Sequence, residues 1–113
     1  MLPKKYRLTD KADFDVVFSK GWRISGRFFV VLVLEKSELF NSLLGIIVSS
    51  KVSKKAVDRN RIKRVVRSAL GQSIVESKTF YLVVVIAKAA AVTAPSKLLE
   101  EEAITLLGKI VRF

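Results

Sequence analysis

Residues 54–67 read Lys54-Lys55-Ala56-Val57-Asp58-Arg59-Asn60-Arg61-Ile62-Lys63-Arg64-Val65-Val66-Arg67, and Ser68-Ala69-Leu70-Gly71 follow. Ile62, Val65, Val66, Ala69 and Leu70 recur at i, i+3, i+4, i+7 and i+8, the spacing of one apolar stripe on an α-helix. A helix is expected over residues 56–70, with Gly71 at the C′ position. At about 100° per residue, Asn60, Lys63, Arg64 and Arg67 project from the opposite side. Arg61 flanks one edge of that side, and Arg59 lies near the apolar border. Lys51, Lys54 and Lys55 add charge where the helix begins. Between Lys51 and Arg67 there are eight basic residues and one acid, Asp58.

Strands are expected on both sides of this helix. Residues 43–49 precede it as an apolar run, with Gly45 marking a bulge or a close backbone approach. Residues 79–87 follow it and are almost continuously apolar, as a central strand is. Upstream, residues 27–34 form a β-branched and aromatic run of strand length, and residues 22–25 a shorter strand turning at Gly26. Residues 35–42 form a polar loop broken by Leu39-Phe40. Residues 9–20 read as a first helix, with Thr9 as its cap, Asp10 and Asp13 at its positive end and Lys20 at its negative end. Gly21 takes its C′ position, and Phe14, Val17 and Phe18 share a face. Ala89-Ala90-Ala91-Val92 connects to a last helix over residues 96–111, with Pro95 at its start. The order α-β-β-β-α-β-α predicts one α+β domain over residues 1–113, a sandwich of helices on one mixed sheet.

Composition narrows the function. The chain has 113 residues, no cysteine and no histidine. Disulfide frameworks, thiolate metal sites and the usual general base near neutral pH are therefore missing. No apolar run approaches the roughly 20 residues of a membrane span. The basic amino terminus is not followed by the apolar core of a signal peptide, so a cytoplasmic protein is expected. Twenty-one Lys and Arg against ten Asp and Glu give a net charge of +11. On so small a domain that excess calls for a polyanion: structured RNA, DNA or an anionic membrane. A helix face with three cations, one amide and no acid at i+4 is suited to phosphates. Arg offers planar bidentate contacts, and Asn a donor and an acceptor for sugar or base edges. The plainer alternative is a solvated amphipathic face, but such faces normally mix signs.

The stretch 54–67, with Arg59-Asn60-Arg61 at its centre, closely resembles the RNR motif of the bacterial ribonuclease P protein family. Arg7-Leu8 with Asp13-Phe14 and Val17-Phe18 resembles the family's first helix. Gly26-Arg27-Phe28 and Leu44-Gly45 through Val48-Ser49 resemble its strand landmarks, and Tyr81 through Ala87-Lys88 its late strand. The resemblance implies a fold shared with a domain of one small-subunit ribosomal protein and of a translocation factor. It also implies a left-handed crossover through the basic helix, where general statistics favour a right-handed one.

The resemblance further implies two RNA surfaces. Lys51, Lys54, Lys55, Arg59, Asn60, Arg61, Lys63, Arg64 and Arg67 would contact the catalytic RNA subunit. Phe14, Val17, Phe18, Arg7 and Arg27 would line a cleft for the single-stranded 5′ leader of precursor tRNA, with bases stacking on the two rings. Read on pattern alone, Phe14 and Phe18 suit core packing as well. The chain departs from the family pattern at Ser50-Lys51, where two consecutive Lys are common, and at Leu32, where a cleft Tyr is frequent.

The implied activity is endonucleolytic removal of the leader, with Mg²⁺ and the chemistry in the RNA subunit. No catalytic residue, no metal and no cofactor are expected on the protein itself, and no protein partner is required. The run Glu100-Glu101-Glu102 reads as a solvated helix face, since consecutive residues diverge on a helix. Two other readings remain: a ribosomal or other structured-RNA protein with this fold, and a helix-turn-helix DNA binder. The second would need a short helix where residues 43–49 read as strand.

Overall fold

The computed structural model describes residues 2–36 and 38–111; position 37 of the expected loop lies outside them. The elements are α1 (Lys11–Lys20), β1 (Trp22–Ser25), β2 (Phe29–Glu35), β3 (Leu43–Ile47), α2 (Ala56–Glu76), β4 (Tyr81–Ala87) and α3 (Ser96–Ile110). Short 3₁₀ turns at Lys4–Tyr6 and Ala89–Ala91 join them; neither was expected from the sequence.

The four strands lie in the order β1-β2-β4-β3. β1 and β2 pair antiparallel, as do β2 and β4, while β3 runs parallel to β4. The basic helix α2 is therefore the crossover between two adjacent parallel strands, a connection that a tight hairpin could not make. β4 is central, and its near-continuous apolar run follows from burial on both faces.

Strand alternation sorts the core into two layers. Phe29, Val31 and Val33 of β2 and Val83, Val85 and Ala87 of β4 join one cluster with Ile62, Val66, Leu70 and Ile74 of α2 and Leu99, Ala103, Leu106 and Leu107 of α3. Val30 and Leu32 of β2 with Leu82 and Val84 of β4 join a smaller cluster with Leu8 and Val17. Thus α2 and α3 cover one face of the sheet and α1 covers the other.

The sequence misplaced several ends. α2 runs on through Gly71 to Glu76. A helical glycine costs about 1 kcal/mol against alanine. Ile74 continues the stripe four residues past Leu70 and is fully buried, and burying such a side chain returns roughly 1.5–3 kcal/mol. Ser77 ends the helix, and its Oγ shares a 2.6 Å hydrogen bond with the buried Ser42 Oγ. Ser42 Oγ also accepts the Tyr81 N–H at 2.9 Å, so one hydroxyl ties the start of β3 to β4 and the end of α2. At α1, Asp10 and not Thr9 is the cap, accepting the Ala12 N–H at 3.0 Å. Gly21 closes α1 in extended backbone, φ −71°, ψ 153°, so it does not form the left-handed cap expected of it.

Candidate nucleic-acid interface

The loop before α2 is built to hold the helix start. Ser53 Oγ donates to Asp58 Oδ2 at 3.0 Å and accepts the Lys55 N–H at 3.2 Å. Arg59 Nη1 donates to the Ser53 carbonyl at 2.7 Å. Asp58, the single acid of the stretch, is thereby engaged with a serine, while Lys51, Lys54 and Lys55 stay exposed. Arg61 points elsewhere. Its Nη1 donates to Ser96 Oγ at 2.9 Å, and its Nη2 to the carbonyls of Val92 at 3.0 Å and Ala94 at 3.1 Å. It fastens α2 to the segment that starts α3. The two arginines of the RNR triplet thus have protein acceptors, and the Asn60 between them is exposed.

The remaining stripe has no such partners. Among the described residues no hydrogen bond or ion pair engages the side chain of Lys63, Arg64 or Arg67; the ion pairs Lys11–Asp15 and Lys36–Asp13 lie at α1. Asn60, Arg64, Arg67 and Ser68, spaced i, i+4, i+7 and i+8, line a groove of about 440 Å³ together with Arg7. Ser68 went unnoticed in the sequence, although the same helical arithmetic that selected Arg64 places it one turn further on. Partial burial, reinforced by the charge of Arg7, lowers the Arg67 pKa from its ordinary value. The group remains a cation at neutral pH.

Arg7 was expected in the leader cleft. The structure instead puts it in this basic groove, because the chain before α1 runs along the outer edge of β3: Arg7 forms a parallel bridge with Leu44, and the Leu8 N–H donates to the Leu44 carbonyl at 2.9 Å.

On the opposite face of the sheet, Phe14 and Phe18 sit with ring centroids 6.4 Å apart and planes at 26°. Phe18 is 47% exposed, whereas Phe14 is half-buried. The Phe14 ring lies on the backbone of Gly45, where an added Cβ would come within 2.8 Å of two ring atoms. This is the close approach that Gly45 permits. Val17, expected to line the cleft, is corrected to a core residue: it is wholly buried between α1 and the sheet and presents no surface. Leu32 is likewise buried there and offers no stacking face.

Arg27 stands apart from the aromatic pair. Its guanidinium carbon lies 5.2 Å from the centre of the Phe28 ring, and Phe28 belongs to the core cluster on the α2–α3 face, not on the Phe14 side. Its backbone is held by Glu102 of α3. That carboxylate accepts the N–H groups of Arg27, Phe28 and Phe29 at 2.7, 2.8 and 2.9 Å. A Cβ at Gly26 would meet the carboxylate at 2.7 Å, so the glycine makes room for it. Glu102 is therefore no solvated residue, unlike the exposed Glu100 and Glu101.

Among the described residues no group of three or more acids is placed to share a cation, and no helix is long and apolar enough to cross a membrane. What the geometry offers is a basic groove on one side and an aromatic pair on the other.

Residues 2–111 match the family model for ribonuclease P. Ribonuclease P protein components of Pseudanabaena sp. (strain PCC 6903) and Bacillus cereus (strain B4264) are each 40% identical over 85 residues, covering 75% and 73% of this chain and 73% of each relative. The RNase P protein of Staphylococcus aureus superimposes with a TM-score of 0.82 at 29% identity, covering 95% of this chain and 98% of that one. That of Thermotoga maritima gives 0.78 at 28% identity, covering 94% and 98%. The chain belongs to the ribonuclease P protein family, the protein component that works with ribonuclease P RNA in the endoribonuclease that processes the 5′ leader of tRNA.

Proposed function

We propose that the two faces of this protein hold two different RNAs. The α2 stripe of Asn60, Lys63, Arg64 and Arg67, with Lys51, Lys54 and Lys55 at its start, contacts the phosphates and sugars of ribonuclease P RNA. Arg59 and Arg61 serve that contact by fixing where the helix sits. The α1 face receives the leader of precursor tRNA, whose unpaired bases stack on Phe18 and on the open edge of Phe14. The RNA subunit binds the Mg²⁺ ions that carry out phosphodiester hydrolysis. The protein contributes charge neutralisation and a grip on the leader, acting in the cytoplasm where precursor tRNA is made. The observation that carries this reading is the run of cations on α2 without protein partners, beside arginines of the same helix that have them.

Two measurements test it. The purified protein is expected to leave precursor tRNA intact, and to raise cleavage when added to ribonuclease P RNA at low Mg²⁺. Metal-dependent cleavage at the tRNA 5′ end by the protein alone, free of contaminating nuclease, defeats the division of labour. For the leader face, Phe14→Leu and Phe18→Leu keep most of the apolar volume and remove the π surface. Each is expected to weaken precursor tRNA binding by about 1 kcal/mol, the low end of base–aromatic stacking, and to leave mature tRNA binding unchanged. An unchanged precursor-to-mature ratio in both variants, with melting temperatures also unchanged, removes the rings from the leader site.

A further inference from the structure

The basic groove contains one residue that α2 does not supply. Arg7 comes from the chain before α1, yet it shares the groove with Asn60, Arg64, Arg67 and Ser68. Its mounting is rigid. The Arg7 N–H donates to the Lys4 carbonyl at 3.0 Å, its backbone bridges to Leu44 on the β3 edge, and its Nε donates to the Leu2 carbonyl at 3.0 Å. These contacts fix the guanidinium by its Nε side, and its two terminal nitrogens have no protein acceptor among the described residues.

Two guanidinium groups held near each other without an acid between them are a destabilising arrangement in the free protein. Partial burial removes some of the water around Arg67, and the charge of Arg7 further raises the cost of the Arg67 charge. The lowered pKa of Arg67 reflects both effects. Where the groove continues toward the end of α2, it is lined by one acid, Glu76, which accepts a hydrogen bond from Gln72 at 3.2 Å. A phosphodiester placed in the groove, with one negative charge spread over two non-bridging oxygens, would relieve the repulsion and take donor pairs from two directions. Asn60 and Ser68 add neutral donors at its rim.

We propose that Arg7 and Arg67 form a two-sided seat for one backbone phosphate of ribonuclease P RNA, with Arg7 acting from the β3 edge and Arg67 from α2. This rests on the reading of α2 as the ribonuclease P RNA contact, and it takes Arg7 out of the leader cleft. Because the two arginines come from different elements, the seat also reports whether the amino-terminal segment is docked against the sheet.

The test uses the whole protein and ribonuclease P RNA without precursor tRNA, with affinity measured across a salt series. Arg7→Gln and Arg67→Gln are each expected to weaken binding about tenfold at roughly 0.15 M salt and to reduce the salt slope by about one. The double variant is expected to lose less than the product of the two, since both groups hold the same phosphate. Arg7→Lys keeps the charge, loses the Nε bond to Leu2, and is expected to recover part of the affinity. If Lys does no better than Gln, Arg7 acts only by tethering Leu2, and the seat is wrong. If Arg7→Gln binds ribonuclease P RNA normally but lowers the precursor-to-mature tRNA ratio, Arg7 belongs to the leader and the proposal fails. If Arg64→Gln and Arg67→Gln also bind normally, the α2 reading itself falls and takes the seat with it.

Discussion

Replacing Arg64 and Arg67 together by alanine is expected to weaken binding to ribonuclease P RNA by about 2–4 kcal/mol, with melting temperature nearly unchanged. Each charge-assisted contact contributes on the order of 1–3 kcal/mol, and residues one helical turn apart act less than additively. Stability should hold because the buried side of α2 is made by Ile62, Val66, Leu70 and Ile74, not by these arginines. Their removal also relieves like-charge crowding around Arg7, a small gain in the free protein. The loss should shrink as salt rises, since each arginine displaces counterions when it meets a phosphate. Titrations at several salt concentrations, with melting curves for both proteins, provide the check. Wild-type affinity at about 0.15 M salt would move the ribonuclease P RNA contact off this helix.

Glu102→Ala is expected to cost about 2–4 kcal/mol of stability, while Glu100→Ala and Glu101→Ala stay within about 0.5 kcal/mol of wild type. One carboxylate satisfies three successive backbone N–H groups where the chain turns from β1 into β2. Hydrogen bonds to a charged acceptor are the strong kind. In a domain of this size the loss corresponds to a melting temperature lower by roughly 10 °C or more. Lys88 Nζ, which donates to Ser25 Oγ at 2.6 Å, would keep part of the turn in place and limits the damage. Three equal melting temperatures would return Glu102 to the solvated run it resembles in the sequence.

That contrast shows where sequence reasoning reaches its limit. The apolar stripe of α2 and the alternation of the strands are local patterns, and they placed every helix and strand that packs the sheet. Element ends depended on partners far along the chain. Gly71 looked like a stop because the pull of Ile74 toward the core is visible only once the sheet is assembled. Glu102 bonds to residues 73 to 75 positions away; periodicity sets it on the Leu99–Leu106 side of α3, apart from Glu101, but the backbone groups it meets are not visible in the local sequence. The signal that existed was Gly26, a glycine whose missing side chain leaves space for a carboxylate. The same holds for the candidate site. Helical periodicity identified Asn60, Lys63, Arg64 and Arg67, because direction on a helix is local. Arg7, Val17 and Arg27 were placed in the leader cleft by family resemblance, and the fold sets each in a different place: the groove, the core and the α3 side.

Arg59 and Arg61 bind their own protein, and this bears on how such a surface could be transplanted. Copying Asn60, Lys63, Arg64 and Arg67 onto an unrelated amphipathic helix would reproduce the cations but not their aim. The orientation comes from the grip of Arg59 on the preceding loop and of Arg61 on the carbonyls before α3. A working graft would have to bring both anchor points, and so most of the β3–α2–β4 frame with the chain that leads into α3. In the triplet Arg-Asn-Arg, two letters specify the frame and one faces outward. Selection for those three letters would therefore preserve an architecture and an RNA surface as a single inherited unit.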